Sequence, residues 1–554
     1  MSNLFNTINI GLKGLQAQKK SLDTTSHNIS NANTEGYSRQ RAVHSTTDPY
    51  TVPGVGMPEG AGQVGTGVEI EEINRIKDQF LEGQIWEKKQ SQSYWNKRSD
   101  GISRIENILN EPSDNNLSAG FDRFWQSLQD LSNNPEDSAV RSTVKERANT
   151  LIDAFHSIED QLSAYKRSLN GDVNTTVNEI NSLGKRIADL NEQIAHIKGA
   201  GKNPNDLMDT RDKLIEELNQ KVNVRTREDD RGNINISIGG MGFVTGDKSN
   251  DLTVEDNPDS DHKNEDIIKF EELDEKADIK SGELAALMDL RGRDGKGIIA
   301  DKKAELDSIA KTFANEFNKV HKAGFDLNKN PGEDFFVSDA GDISAASINL
   351  NSVIDNDISK IAAGTLSDNQ KVVTAEDKSY SGEEYEVIID GDEYTLKDVN
   401  GNTLNDSSGT PIENITIPSN GKFSEKGLEF TVHGQGSALI NKEIGSGTNA
   451  LNLSDVIKSD DLDFNGDNKK EATVMGKYES VISSLGVQGQ RASQMVENQD
   501  TLVNQLENKR QSISGVSIDE EMANMIKYQQ AYSASAKLIS NANRMMDSLM
   551  GILR

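Results

Sequence analysis

The chain begins and ends on matching apolar stripes at helical spacing, with nearly all of its length between them. Near the start, Phe5, Ile8, Leu12, Leu15, Leu22 and Ile29 recur in steps of three and four, with Lys19 and Ser26 as polar steps. Near the finish, Ile518, Met522, Met525, Tyr532, Ala536, Ile539, Met546, Met550 and Leu553 repeat the pattern, with Gln529 and Asn543 polar. This spacing gathers each set on one face and predicts two long coiled-coil helices. Ser517 and Glu520 form a capping box for the second helix, and Asp519 and Glu521 put acid at the positive end of its dipole. Its apolar residues are few for its length, so the helix is expected to be marginal until other chains cover it.

Between the ends the period changes several times. Asn28 to Arg39 is dense in capping and turn residues, with Gly36 suited to a positive φ. Residues 49–67 hold three prolines and many glycines and read as an irregular linker or loose strand. From about 72 to 225 the pattern is helical, interrupted at Asn110 to Asn115 and at Ser132 to Asp137. Within it, Val173, Ile180, Ile187 and Ile194 repeat every seven residues beside Thr176, Leu183, Leu190 and Ile197, predicting a coiled-coil-like helix. Ile234, Ile236 and Ile238 then alternate with polar residues after the turn Asp230 to Asn233, which predicts a hairpin. Residues 251–280 read as a solvated loop with short strands, and 297–322 as a helix with Ile309, Phe313, Phe317 and Val320 inward. Tyr385, Val387 and Ile389 on one side and Tyr394 and Leu396 on the other flank the turn Asp390-Gly-Asp, marking a β-rich insert.

The predicted class is α+β: an elongated multidomain protein with long terminal coiled-coil helices, a helical body and a β-rich inserted domain. The expected division is 1–60 with 514–554 as a terminal assembly domain, 61–340 with 450–513 as the body, and 341–449 as the insert.

Charge sharpens the role of the ends. The 554 residues carry a net −30, yet residues 1–60 and 501–554 carry +1 each, leaving −32 for the middle. Such a balance opposes binding to nucleic acid or to an anionic membrane surface. The 34% hydrophobic and 5% aromatic content points to a thin core. Without cysteine, disulfides, thiolate zinc sites and thiol catalysis are excluded. The N-terminus lacks the basic and continuously apolar regions of a cleaved signal, and no segment reaches the roughly 18 apolar residues of a membrane span.

No local motif supports catalysis, a metal or a cofactor. Asp461, Asp463, Asn465 and Gly466 match the opening of a calcium loop, but Ala472 stands where the bidentate Glu belongs. The seven histidines form no metal-binding pair, and Gly239-Gly-Met-Gly and Gly292 to Gly297 match no phosphate loop.

The segment Asn31-Ala-Asn-Thr-Glu-Gly-Tyr-Ser-Arg39 after the first helix resembles the N-terminal signature of bacterial flagellar rod, hook and hook-associated proteins, with Glu35 where Pro is frequent. Ser517 to Ile539 resembles their C-terminal signature. Asn205 to Leu214 and Ser281 to Leu290 are similar to segments of the hook-associated protein 1 family. The resemblance implies a non-enzymatic structural subunit joining hook to filament, secreted to the extracellular flagellum by type III export. It implies partners: copies of itself in a ring or short tubular layer, hook protein, a second junction protein or the filament, and an export chaperone at the C-terminal helix. A hook or distal rod subunit is the nearest alternative; a flagellum-borne hydrolase with its site in the insert is a remote one. The candidate assembly interface comprises Ile8, Leu12, Leu15, Leu22, Ile29, Asn31, Asn33, Thr34, Gly36, Tyr37, Ile518, Met522, Met525, Tyr532, Ile539, Met546, Met550 and Leu553.

Overall fold

The computed structural model describes residues 2–48, 65–109, 116–256, 266–293, 295–328, 330–364, 372–377, 385–390, 393–398, 402–406, 409–418, 422–425, 428–433, 447–464 and 472–552. The class is α+β, with long helices at both ends. The chain divides into two compact units, one formed by 1–103, 167–298 and 488–554, the other by 104–166 and 299–487.

The first unit holds helix α1 (Ser2–Ser30) and an antiparallel ribbon of β1 (Gln40–Thr46) and β2 (Val68–Arg75). It also holds most of α2 (Gln79–Leu109), the second half of α4 (Ser138–Gly199), and α5 (Asn205–Lys221). A four-stranded sheet in the order β3 (Val224–Glu228), β4 (Ile234–Ile238), β5 (Met241–Thr245), β6 (Lys248–Ser249) follows. A three-stranded sheet of β7 (Leu252–Glu255), β8 (Ile267–Phe270) and β9 (Glu275–Lys276) leads to α6 (Glu283–Arg291). The unit closes with the end of α10 (Val474–Ser514) and with α11 (Ile518–Ile552).

The heptad face of α4 is fully buried at Val173, Ile180, Ile187 and Ile194, but strands cover it as well as helix. Asn181 and Asn191 on α4 satisfy strand backbone: Asn181 accepts from Leu252 N and donates to Leu252 O, each at 2.8 Å, and Asn191 donates to Ile234 O and Gly246 O. A β-carbon at Gly184 would stand 2.6 Å from the Phe243 ring, so glycine here lets the sheet close on the helix. Asn181, Gly184 and Asn191 flank the repeat and meet strand backbone and the Phe243 ring, so the apolar repeat marks a core stripe covered by sheet. The predicted hairpin is β3 and β4, turned at Asp229 to Asn233 with Gly232 at φ 82°.

The second unit holds α3 (Leu117–Asn133), the start of α4, α7 (Ile298–Ala323), the pair β10 (Phe336–Ser338) and β11 (Ile348–Leu350), and α8 (Ser352–Asn356). Two three-stranded sheets make the insert. One orders β12 (Val372–Asp377), β17 (Leu428–His433) and β16 (Lys422–Glu425); the other orders β13 (Tyr385–Asp390), β14 (Glu393–Asp398) and β15 (Ile415–Thr416). Tyr394 stacks on Phe423 with centroids 3.9 Å apart. Helix α9 (Thr448–Lys458) and the start of α10 complete the unit. As the spacing predicts, Ile309, Phe313 and Phe317 of α7 are fully buried; Phe313 and Phe317 join Phe121, Phe124, Phe335 and Phe336 in an aromatic core, while Val320 is half-buried.

The linker reading of 49–67 falls mostly on 49–64, outside the described residues, but the flanking segments pair as β1 and β2. Asn465 and Gly466 of the calcium-like segment also lie outside them. Among the described residues no acidic or histidine cluster is arranged to hold a metal, and no helix is long and apolar enough to cross a membrane.

Candidate assembly surface

Helices α1 and α11 pack side by side. The side of α1 turned inward is not its apolar stripe. Gly11, Ala17, Ser21, Thr24, Thr25 and Asn28 are buried, whereas Ile8, Leu15, Leu22 and Ile29 are half-buried and Leu12 is 45% exposed. Thr7, Gly11, Gly14, Gln18, Ser21, Thr25 and Asn28 form a second three-four row, displaced by one position from the apolar one. One position is about 100° around a helix, so the small row can pack internally while the apolar row stays only partly covered. Small residues let the backbones approach: a β-carbon on Gly14 would stand 3.0 Å from Ser535 Oγ.

On α11 the inward row is shared. Met525, Tyr532, Ile539 and Met546 are half-buried and Ala542 is fully buried. Ile518 is exposed, as are Met522 at 50% and Met550 at 64%, together with Ile526 and Leu538, which the stripe did not include. Leu553 lies outside the described residues. At the start of α11, Glu520 N donates to Ser517 Oγ, but the Glu520 carboxylate turns away to accept from Arg39 at 2.8 Å. Half of the capping box is thus exchanged for a tie to the segment after α1.

Asn31, Asn33, Thr34, Gly36 and Tyr37 form the turn that ends α1. Asn31 N–H donates to the carbonyls of His27 and Asn28, Thr34 Oγ1 donates to Asn31 Oδ1, and Gly36 takes φ 83°. Asn33, Thr34 and Gly36 are exposed, and Asn31 and Tyr37 half-buried. Tyr37 folds back to donate to Asn28 Oδ1 at 2.7 Å and stands 3.1 Å from His27 Nδ1. Asn28 also pairs with both backbone groups of Gln40, which starts β1. Burial, with Asp206 and Asp209 nearby, pushes the Tyr37 hydroxyl above its ordinary pKa, so it stays a donor.

The turn is seated on α5 and on the break between α10 and α11. Ser38 N donates to Asp209, Glu35 pairs with Lys213 at 2.9 Å, and Arg39 N donates to Ser514 O. Around a cleft of about 380 Å³ beside the turn, ion pairs bind helices together. Lys89 of α2 meets Glu216 of α5 and Glu507 of α10, and Arg510 meets Glu216. Below them, Arg75 bridges Asp209 and Asp212 while Lys77 meets Asp212 at 2.7 Å. Burial alone would raise the Asp212 carboxyl, but Lys77 and Arg75 outweigh it and hold it below its usual range. Of the acids that the motif Asn205 to Leu214 carries, Asp209 is thus the socket for the terminal turn, and Asp212 anchors Arg75 and Lys77 beside it.

One contact had no signal in the apolar pattern. His44 of β1 lies 3.0 Å from Ser21 Oγ and stacks on Tyr528 of α11, joining three elements. The spacing of Gly11, Gly14, Gln18, Ser21, Thr25 and Asn28 was readable, but only by looking for small residues at helical intervals.

Three family models match. The flagella basal body rod protein model covers residues 8–37, the model of the C-terminal part of flagellar basal body rod FlgEFG proteins covers 507–552, and that of the helical domain of flagellar hook-associated protein FlgK covers 102–336. Flagellar hook-associated protein 1 of Bacillus subtilis is 29% identical over 99% of this chain and 98% of its own length. That of Escherichia coli is 29% identical over 98% of this chain and 99% of its own. The solved flagellar hook junction protein FlgK of Burkholderia pseudomallei shares the fold at 18% identity, with a TM-score of 0.59 over 78% of this chain and all of that one. With relatives spanning it end to end and a match to the FlgK helical domain inside it, the chain is similar along its whole length to flagellar hook-associated protein 1.

Proposed function

We propose that this chain is a structural subunit of the bacterial flagellum that joins hook to filament, assembling through residues 1–60 with 514–554. The carrying observation is the pairing of α1 with α11 through small residues, which leaves apolar side chains of both helices exposed, among them Phe5, Leu12, Met522 and Met550, in a protein of net charge −30. Soluble chains rarely leave such rows uncovered unless another protein covers them. The near-neutral ends can pack closely, and the acidic remainder keeps the free chain soluble. The rod-type models match only the two ends, whereas the hook-associated helical domain and the full-length relatives match the rest, which favours a junction subunit over a hook or rod subunit.

In this reading copies of the chain form a ring or short tubular layer. The hook protein lies on one side, and a second junction protein or the filament on the other. The subunit is exported to the extracellular end of the hook, and a chaperone holds α11 before export. Removing residues 518–554 tests the reading: the shortened chain should fold and be secreted, but cells carrying it should bear hooks without filaments. Filaments of normal number and attachment would overturn it.

A further inference from the structure

The methionines of this chain are unevenly placed. Five of its twelve, Met522, Met525, Met545, Met546 and Met550, lie in α11. Among the described methionines the exposed ones are Met522 at 50%, Met545 at 49% and Met550 at 64%, all on that helix. Met288 in α6 is 3% exposed, and Met208, Met241, Met475 and Met495 are intermediate. The chain has no cysteine to react first.

We propose that Met522, Met545 and Met550 form an oxidation-sensitive modification site that gates assembly of the free chain. This rests on the assembly reading above. A peroxide such as hydrogen peroxide is the co-reactant. The thioether Sδ attacks one peroxide oxygen, the O–O bond breaks, and that oxygen is transferred to sulfur. Sulfur is oxidised by two electrons, the peroxide is reduced, and water leaves. Each sulfoxide places a strong polar acceptor on a flexible side chain that was apolar. On an open helix face this costs nothing while the face stays in water. When a second copy of the chain covers the face, the sulfoxide oxygen is buried without a donor, so the cost falls on association. Once covered, the same thioethers are shielded, so the chain is sensitive before assembly and protected after it.

The test uses the full-length chain. It is treated with hydrogen peroxide, mapped by peptide mass spectrometry, and followed by sedimentation velocity at rising concentration, in parallel with Met522→Leu, Met545→Leu, Met550→Leu combined in one variant. Leucine keeps the apolar volume and cannot be oxidised. The expected result is sulfoxide at these three positions before Met288, loss of self-association in the treated chain, and retained self-association in the treated triple variant. Uniform oxidation, unchanged association of the sulfoxide form, or equal loss in the triple variant would each overturn the proposal. Untreated full-length chain that stays monomeric, or a chain ending at Ser517 that associates as the full one does, would overturn the assembly reading itself, whatever the sulfoxide map shows.

Discussion

Cγ1 of Ile539 in α11 stands 2.7 Å from the place a β-carbon on Gly11 would occupy. The helices meet at a distance that only a missing side chain permits. Gly11→Leu should force them apart by overpacking the seam, at about 1–3 kcal/mol. Urea unfolding would report a loss of that order in the first transition to involve the terminal helices, and proteases should reach both ends sooner. Leu12→Asp, one position away on the open row, should leave that transition in place and reduce self-association.

The bond from Tyr37 to Asn28 separates two roles in the turn. Tyr37→Phe removes one donor while Asn28 Oδ1 still accepts from Gln40 N, so a loss of about 1 kcal/mol is expected. Asn28→Leu orphans Gln40 N and O as well and should cost about 2–3 kcal/mol. Amide hydrogen exchange across residues 31–40 would rank the two variants; equal protection in both would show that Asn28 does not organise the turn.

How much of this was legible follows from which residues carry each feature. The stripes at Ile8 to Ile29 and Met522 to Met550 announced terminal helices correctly, because exposed assembly faces and buried core faces share one period. That shared period is also why the stripe could not say which side of α1 the chain buries. Gly11, Ser21 and Asn28 buried there look like breaks or caps in a propensity reading. The heptad at Val173 to Ile194 marks a buried helix face but not what covers it, since a strand and a helix remove the same valines and isoleucines from water. Asn181 and Asn191 held the clue, being side chains whose donors and acceptors match strand backbone. Asp209 and Asp212 stand out in the sequence only by family likeness; their partners Arg75 and Lys77 are more than a hundred residues away, where no local pattern reaches.

Arg141 at the start of α4 is 1% exposed and bonds carbonyls: Pro135 O at 2.6 Å, Ile361 O at 2.7 Å and Ile358 O at 3.2 Å. Burial, opposed by Asp326 and Asp357, lowers its pKa to about 10, so it remains charged at neutral pH. Arg141→Met fills the space but leaves those oxygens without a donor, and about 3–5 kcal/mol should be lost from the second unit. Arg141→Lys supplies donors at one point only and should recover part of it. Calorimetry of the full chain would separate them by the fall in the transition assigned to residues 104–166 and 299–487.

His321 in α7 is fully buried, with Nδ1 2.6 Å from Glu333 O and Nε2 accepting from Ala362 N at 2.9 Å. One ring nitrogen must donate and the other accept, so the fold selects the neutral Nδ1–H form. Burial pushes its pKa down from 6.5 to about 4, against smaller raising effects of Glu333 and Asp334. The unfolded chain therefore binds this proton at a pH where the folded chain does not, and acid favours unfolding. The contribution is whole above pH 6.5 and is lost as pH falls from 6.5 towards 4, amounting to about 3 kcal/mol. Urea midpoints of the second unit measured from pH 7.5 to 4.5 should fall in that window. His321→Gln, whose amide can donate and accept without titrating, should be less stable at pH 7.5 and should show a flatter descent; an unchanged slope would mean that other groups govern the acid response.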